Sequence, residues 1–299
     1  MIQPNYLQKG DTVAIVSTAR KISSDKIIPA IKLLENWGLS VVIGNTIGAE
    51  EHQFAASDEK RIEDFQQLLN NPNIKAIWCA RGGYGTVRLI DKLDFSEFKK
   101  HPKWIIGYSD ITVLHNHIHN LGIETLHATM PINIENNSKQ SIETLKKSLF
   151  GKNLFYEIPA DEKNKLGNAT GELVGGNLSV LYSLLGSKSS IKTKGKILFI
   201  EDLDEYLYHI DRMMINLKRN GYFSNLKGLI VGGMTNMHDN EIPFGKTAEE
   251  IILDIVSEYN FPVIFDFPAG HFDDNRALIL GRKIELNVTP EKAMLKFLI

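Results

Sequence analysis

The feature that most constrains this chain is the rhythm of its first half, where short apolar β-prone runs alternate with stretches of helical periodicity. Thr12-Val13-Ala14-Ile15-Val16 reads as a buried strand. A helix then begins near Ser24, carries Ile27, Ile31, Leu34 and Trp37 on one face, and stops at Gly38. Val41-Val42-Ile43 is the next strand. Ser57 is the N-cap of a helix carrying Ile62, Phe65, Leu68 and Leu69, which ends before Pro72. Ala76 to Ala80 and Trp104 to Ile106 are the third and fourth strands. Strands separated by helices argue for parallel pairing, because a helix supplies the length a crossover connection needs. The expected fold class is therefore α/β, with a doubly wound, mainly parallel sheet in the N-terminal part.

Residues 132–170 break the rhythm. They are polar, hold one short helix around Ser141 to Phe150, and read as a crossing region between domains. From Gly171 a second mixed pattern begins. Ile197 to Ile200, Leu229 to Val231 and Val263 to Phe265 read as strands, and Tyr206 to Asn220 and Thr247 to Tyr259 as helices. Lys283 to Leu298 reads as two strands joined at Pro290. At 299 residues the chain is long enough for two cores. An N-terminal domain over 1–160 and a C-terminal domain over 161–299 are expected.

Composition excludes several classes. A formal net charge of −2 gives no bulk attraction to nucleic acid or membrane. The lone Cys79 lies in the apolar run Ala76-Ile77-Trp78-Cys79-Ala80, so no internal disulfide and no cysteine zinc cluster can form. No apolar run approaches membrane-spanning length, and Met1 to Tyr6 lacks a charged segment followed by an apolar one. A cytoplasmic protein is expected.

Three chemically capable residues each follow an apolar strand. Ser109 follows Trp104-Ile105-Ile106-Gly107-Tyr108, Glu201 follows Ile197-Leu198-Phe199-Ile200, and His271 lies in Phe267-Pro268-Ala269-Gly270-His271. In open α/β sheets, functional groups gather at the carboxyl ends of strands. A serine, an acid and a histidine are the parts of a nucleophilic hydrolase, and this chain order occurs among α/β-hydrolases. Each also has a plainer use. Ser109 can be a helix N-cap, Glu201 a cap or a partner of Arg212, and His271 a hydrogen-bonding loop residue. Physical reasoning does not separate Glu201 from Asp202, since both stand at the same strand end.

Ala80-Arg81-Gly82-Gly83-Tyr84-Gly85 follows the third strand. Its glycines let backbone N–H groups approach an anion, as an oxyanion loop or a nest, or they simply make a tight turn. The loop is neither a P-loop nor a dinucleotide fingerprint. Arg81 is either a carboxylate binder or a structural ion-pair partner. His115, His117 and His119, with Glu124 and His127 nearby, raise a metal-dependent hydrolase as a rival. On a helix, however, His117 points away from the other two. A non-catalytic ligand-binding protein is a further rival.

Five ordered motifs carry a resemblance. They are Ala80-Arg81-Gly82-Gly83-Tyr84-Gly85, Ile106-Gly107-Tyr108-Ser109-Asp110, Gly171-Glu172-Leu173-Val174-Gly175-Gly176-Asn177-Leu178, Phe199-Ile200-Glu201-Asp202, and Gly270-His271 followed by Asn275. With the opening Leu7-Gln8-Lys9-Gly10-Asp11, the set resembles the LD-carboxypeptidase family of serine peptidases, which includes murein tetrapeptide carboxypeptidases and microcin C immunity peptidases. The resemblance implies that Ser109 is the nucleophile, Glu201 the triad acid and His271 the general base. It places the oxyanion hole on the backbone N–H groups of Gly83 and Asp110. Arg81, Tyr84 and Asn177 are candidate substrate contacts. It also implies a C-terminal domain of swivelling β/α type, a homodimer, and a small muropeptide substrate from which terminal D-Ala is released, with no cofactor and no metal. Arg276-Ala277-Leu278-Ile279 departs from the Leu-Pro that many relatives carry after the motif's Asn. A nucleotide conjugate is the alternative substrate. Trp37, Trp78 and Trp104 all lie in the N-terminal half, which favours the muropeptide.

Overall fold

The computed structural model describes residues 1–298. The expected alternation is present. β1 (Thr12–Val16), β2 (Ser40–Ile43), β3 (Ile74–Cys79), β4 (Trp104–Gly107) and β5 (Thr125–His127) pair in parallel, in the spatial order β2-β1-β3-β4-β5. Helices cover both faces. α1 (Ile28–Asn36) and α5 (Lys139–Leu149) place Leu34, Leu145 and Leu149 against Val13, Trp78 and Trp104. On the opposite face, α2 (Asp58–Asn70), α3 (Ser96–Lys100) and α4 (Thr112–Asn120) place Phe65, Phe98 and Leu114 against Ala14, Ile77 and Ile105. The buried strands are apolar on both faces because both faces are covered.

A second sheet has the order β10-β9-β8-β7-β12-β13-β6. Its parallel half comprises β7 (Gly167–Asn177), β8 (Ile197–Leu203), β9 (Gly228–Thr235) and β10 (Val263–Ile264). Its antiparallel half adds β12 (Lys283–Val288), β13 (Lys292–Phe297) and β6 (Phe155–Pro159) to the far side of β7. α6 (Leu178–Ser183), α7 (Leu207–Arg219) and α8 (Ala248–Val256) bury Leu181, Met214 and Ile252 on one face. The other face shares a core with the first sheet, in which Leu173, Phe199 and Leu286 join Trp78, Trp104 and Leu126. The two units therefore meet through apolar packing.

The segment read as a polar crossing region is more ordered than expected. α5 packs on the first sheet, and β6 closes the edge of the second. β11 (Leu278–Leu280) returns to the first sheet, antiparallel to β5. The chain thus crosses between the sheets more than once. A cut at residue 160 leaves β6 with the N-terminal half in sequence and with the second sheet in space.

Candidate active site

Ser109 sits at a strand-to-helix corner. β4 ends at Gly107, and a Cβ added there would fall 2.8 Å from Ile111 Cγ1. Ser109 itself has φ +64°, in the left-handed region that non-glycine residues rarely occupy. Such a residue stores about 1–3 kcal/mol of strain and is held by its surroundings. A single tight turn over Ser109–Ile111 follows, and α4 starts at Thr112. His115 on α4 fixes the corner from below. Its Nε2 lies 2.8 Å from the Gly107 carbonyl and its Nδ1 2.9 Å from Thr125 Oγ1. A carbonyl only accepts, so Nε2 carries the hydrogen and Nδ1 accepts from the hydroxyl. Burial pushes this imidazole down to about 4, which keeps it neutral.

The glycine loop after β3 closes over Ser109. A Cβ on Gly82 would stand 3.1 Å from Ser109 Cβ and 3.3 Å from the Asp110 backbone nitrogen. Gly83 has φ +111°, and a Cβ there would meet Arg20 Cδ at 2.5 Å. The Asp110 carboxylate accepts from the Thr86 N–H at 2.9 Å. That contact fastens the corner to the residues following the loop. Burial holds the Asp110 carboxyl above its usual range.

Glu201 ends the apolar run of β8 and is fully buried. Its Oε2 lies 2.6 Å from His271 Nδ1. A carboxylate only accepts, so Nδ1 donates, and Nε2 is the nitrogen left to exchange a proton. Gly270, with φ +127°, permits the approach, since a Cβ there would lie 3.0 Å from Glu201 Oε2. The Gly270 N–H donates to Asn275 Oδ1 at 2.9 Å, which pins the loop. Burial alone would lower the His271 pKa. The Glu201 carboxylate outweighs it, and the net shift is upward. The Tyr108 ring lies 4.8 Å from the His271 ring, and its hydroxyl donates to Asn133 Oδ1 at 3.2 Å.

Asp202 has a different environment. It accepts from Asn177 Nδ2 at 2.8 Å, the Ser179 N–H at 2.8 Å and the Leu203 N–H at 2.9 Å. Burial first, and the Glu201 charge second, push its carboxyl up to about 7. Asn177 also caps α6 through the Val180 N–H at 3.1 Å, and its own N–H donates to Thr112 Oγ1 at 3.0 Å. It thereby ties the end of β7 to the start of α4.

Ser109, Asp110, Gly83, His271, Arg81 and Asn177 line one cavity of about 480 Å³, with Glu201 behind His271. Tyr84 lies outside this lining, 45% exposed and tilted against Phe54. The histidine tract does not converge. His115 supports the corner, His117 bonds Ser189 Oγ at 2.9 Å, and His119 faces Glu172 at 3.2 Å. Among the described residues no three His, Cys, Asp or Glu side chains are grouped as metal ligands. Sequence reasoning missed Arg20, Asn133, Asp204 and Glu205, which also line the cavity. For Arg20 a signal existed, since it follows β1 as Arg81 follows β3.

The fold and this cavity define a two-unit α/β protein with its site at the junction. Residues 13–128 match the family model of the LD-carboxypeptidase N-terminal domain, and residues 170–286 that of the C-terminal domain. The chain is 35% identical to the probable murein peptide carboxypeptidase of Bacillus subtilis, over 98% of this chain and 94% of that protein. The muramoyltetrapeptide carboxypeptidase of Oxalobacter formigenes superposes with a TM-score of 0.87 at 26% identity, covering 96% of this chain and 98% of that one. The microcin C7 self-immunity protein MccF, in complex with glutamyl sulfamoyl guanosine, has the same fold, with a TM-score of 0.86 at 23% identity and 97% of each chain covered. The chain belongs to the LD-carboxypeptidase family.

Proposed function

We propose that the protein is a serine carboxypeptidase that releases terminal D-Ala from a murein tetrapeptide at the L-centre of the third residue. Ser109 Oγ attacks the carbonyl carbon while His271 Nε2 takes its proton. Glu201 holds the imidazole in the Nδ1–H tautomer and stabilises the imidazolium. The oxyanion is received by the backbone N–H groups of Gly83 and Asp110. The C–N bond breaks, D-Ala leaves with the proton from His271, and water then hydrolyses the acyl-serine by the reverse proton path. The 2.6 Å contact between His271 Nδ1 and Glu201 Oε2, in a site shared with left-handed Ser109, carries this assignment.

The muropeptide is favoured over a nucleotide conjugate because Trp37, Trp78 and Trp104 are buried in the first unit and absent from the cavity lining. On the family resemblance we further infer a cytoplasmic homodimer. No helix among the described residues is long and apolar enough to cross a membrane. The test is a mass-spectrometric assay of L-Ala-D-Glu-(diamino acid)-D-Ala beside an aminoacyl-nucleotide conjugate. Ser109→Ala should lose at least about 10³-fold in kcat/KM. Wild-type turnover by that variant overturns the serine mechanism. Cleavage of the conjugate alone overturns the substrate.

A further inference from the structure

Arg20 and Arg81 stand at the ends of β1 and β3, where the strand order reverses direction, with β2 on one side and β4 and β5 on the other. In an open sheet the connections diverge at this point and leave a crevice. Both residues line the cavity that holds Ser109 and His271. A Cβ on Gly83 would stand 2.5 Å from Arg20 Cδ and 3.0 Å from its Nε, so the Arg20 side chain lies across the glycine loop.

The two guanidiniums lack the carboxylate partner that four other arginines of this chain have. Arg61, Arg88, Arg276 and Arg282 each hold a carboxylate. Among the described residues Arg20 and Arg81 form no ion pair, and Lys21 takes the neighbouring Glu50 at 2.7 Å. Arg81 Nη1 donates to the Lys21 carbonyl at 3.0 Å, while its Nε is buried without an acceptor. Burial first and the Arg20 charge second disfavour the charged form of Arg81. The acids across the cavity are otherwise engaged, Asp204 with His238 and Glu205 with His209. Two like charges that line one cavity with a nucleophile, neither of them held by a carboxylate, are a receptor for an anion.

We propose that Arg20 and Arg81 form a paired-guanidinium site for the free C-terminal carboxylate of the substrate. The proposal rests on the peptidase assignment above. In an exopeptidase substrate only the nitrogen and Cα of the last residue separate that carboxylate from the scissile carbonyl. Arg20 lies against the Gly83 loop in the cavity that also holds Ser109, and a carboxylate held there makes the enzyme remove one terminal residue instead of cutting within a chain.

The experiment compares the tetrapeptide free acid with its C-terminal carboxamide. Charge-assisted hydrogen bonds are worth about 1.5–3 kcal/mol, so wild type should favour the acid by roughly ten- to a hundredfold or more in kcat/KM. In Arg20→Gln, Arg81→Gln and the double variant, the acid-to-amide ratio should fall toward one, mainly through KM. Arg81→Lys, which keeps the charge and the stem, should retain an intermediate ratio. Equal fractional loss on both substrates, or an unchanged ratio, overturns the proposal. Calorimetric binding of the same two peptides to Ser109→Ala reads the preference without chemistry. Acid preference in binding with no D-Ala release by wild type sinks the peptidase assignment and keeps the carboxylate site. Release of D-Ala without acid preference does the opposite, and absence of both overturns both.

Discussion

Replacing Glu201 by Gln separates the two adjacent acids of β8. The side chain keeps its shape, so its packing against the Gly270 backbone is preserved. Its chemistry admits two orientations, and both fail. If the amide NH2 takes the place of Oε2, it donates to His271 Nδ1. The ring proton must then sit on Nε2, where it blocks proton abstraction from serine. If the amide oxygen stays on His271, the NH2 occupies the position of Oε1, which is buried without a partner. The first orientation puts a carbonyl oxygen where the wild type already holds the unpartnered Oε1, whereas the second adds a buried unsatisfied donor at a cost of about 1–3 kcal/mol, so the first orientation is favoured. Loss of the correct tautomer costs roughly 10⁴-fold in rate, about 5.5 kcal/mol at 1.36 kcal/mol per tenfold. The His271 pKa also loses the carboxylate that raises it, so the acid limb of the rate profile should move to lower pH. The assay is kcat/KM for D-Ala release across pH 5–9, run beside Asp202→Asn. Asp202 accepts from Asn177, Ser179 and Leu203 and does not touch His271, so its variant should change the melting temperature more than the position of the acid limb. Comparable rates for Glu201→Gln and wild type, or an acid limb that stays in place, would refute the tautomer argument.

Other outcomes follow from the same geometry. Activity of wild type should rise with pH through a His271 pKa lying above 6.5, because the general base must be neutral; an acid limb below 6.5 contradicts this. The stability contribution of the His271–Glu201 pair runs the other way. The folded pKa is raised, so the contribution is complete below 6.5 and is lost as pH climbs through the folded value. Asp202, raised from 3.8 to about 7, likewise removes stability as pH rises through that window, which denaturant titrations at several pH values can read. Ser109→Gly should melt at or above Ser109→Ala, since glycine escapes a left-handed penalty of about 1–2 kcal/mol; a melting point several degrees below that of the alanine variant counts against a strained corner. Turnover should survive excess EDTA, and zinc-restorable inactivation would revive the histidine tract as a metal site.

The first sheet was legible because its strands are apolar on both faces and its helices carry clear caps such as Ser57, whose side chain accepts from the Lys60 N–H. β5 was missed because it has only three residues and ends in a histidine. β11 was missed because its partner is β5, a pairing that no local pattern encodes. The three strand-end residues were visible as types. The choice between Glu201 and Asp202 was not. Successive side chains of a strand point to opposite sides, so one acid meets the His271 loop and the other the start of α6, and only the placement of those partners decides which. Arg20 carried a weaker signal, its place after β1, and that place gains meaning only once β1 and β3 are neighbours.

The route of the chain through the site has a mechanical consequence. Ser109 is mounted on the first sheet and Glu201 on the second, while His271 rides on the strap between β10 of the second sheet and β11 of the first. The strap is anchored at both ends to different sheets, so the position of the imidazole depends on how the two sheets sit against each other. The shared apolar core that joins Trp104 to Phe199 therefore acts as a brake on the histidine as well as a source of cohesion. A circular permutant opened within Phe272–Arg276 would leave both sheets whole and cut the covalent link between the base and the sheet that carries Ser109, while the Phe267 and Ala269 backbone bonds to β9 still hold it beside its acid.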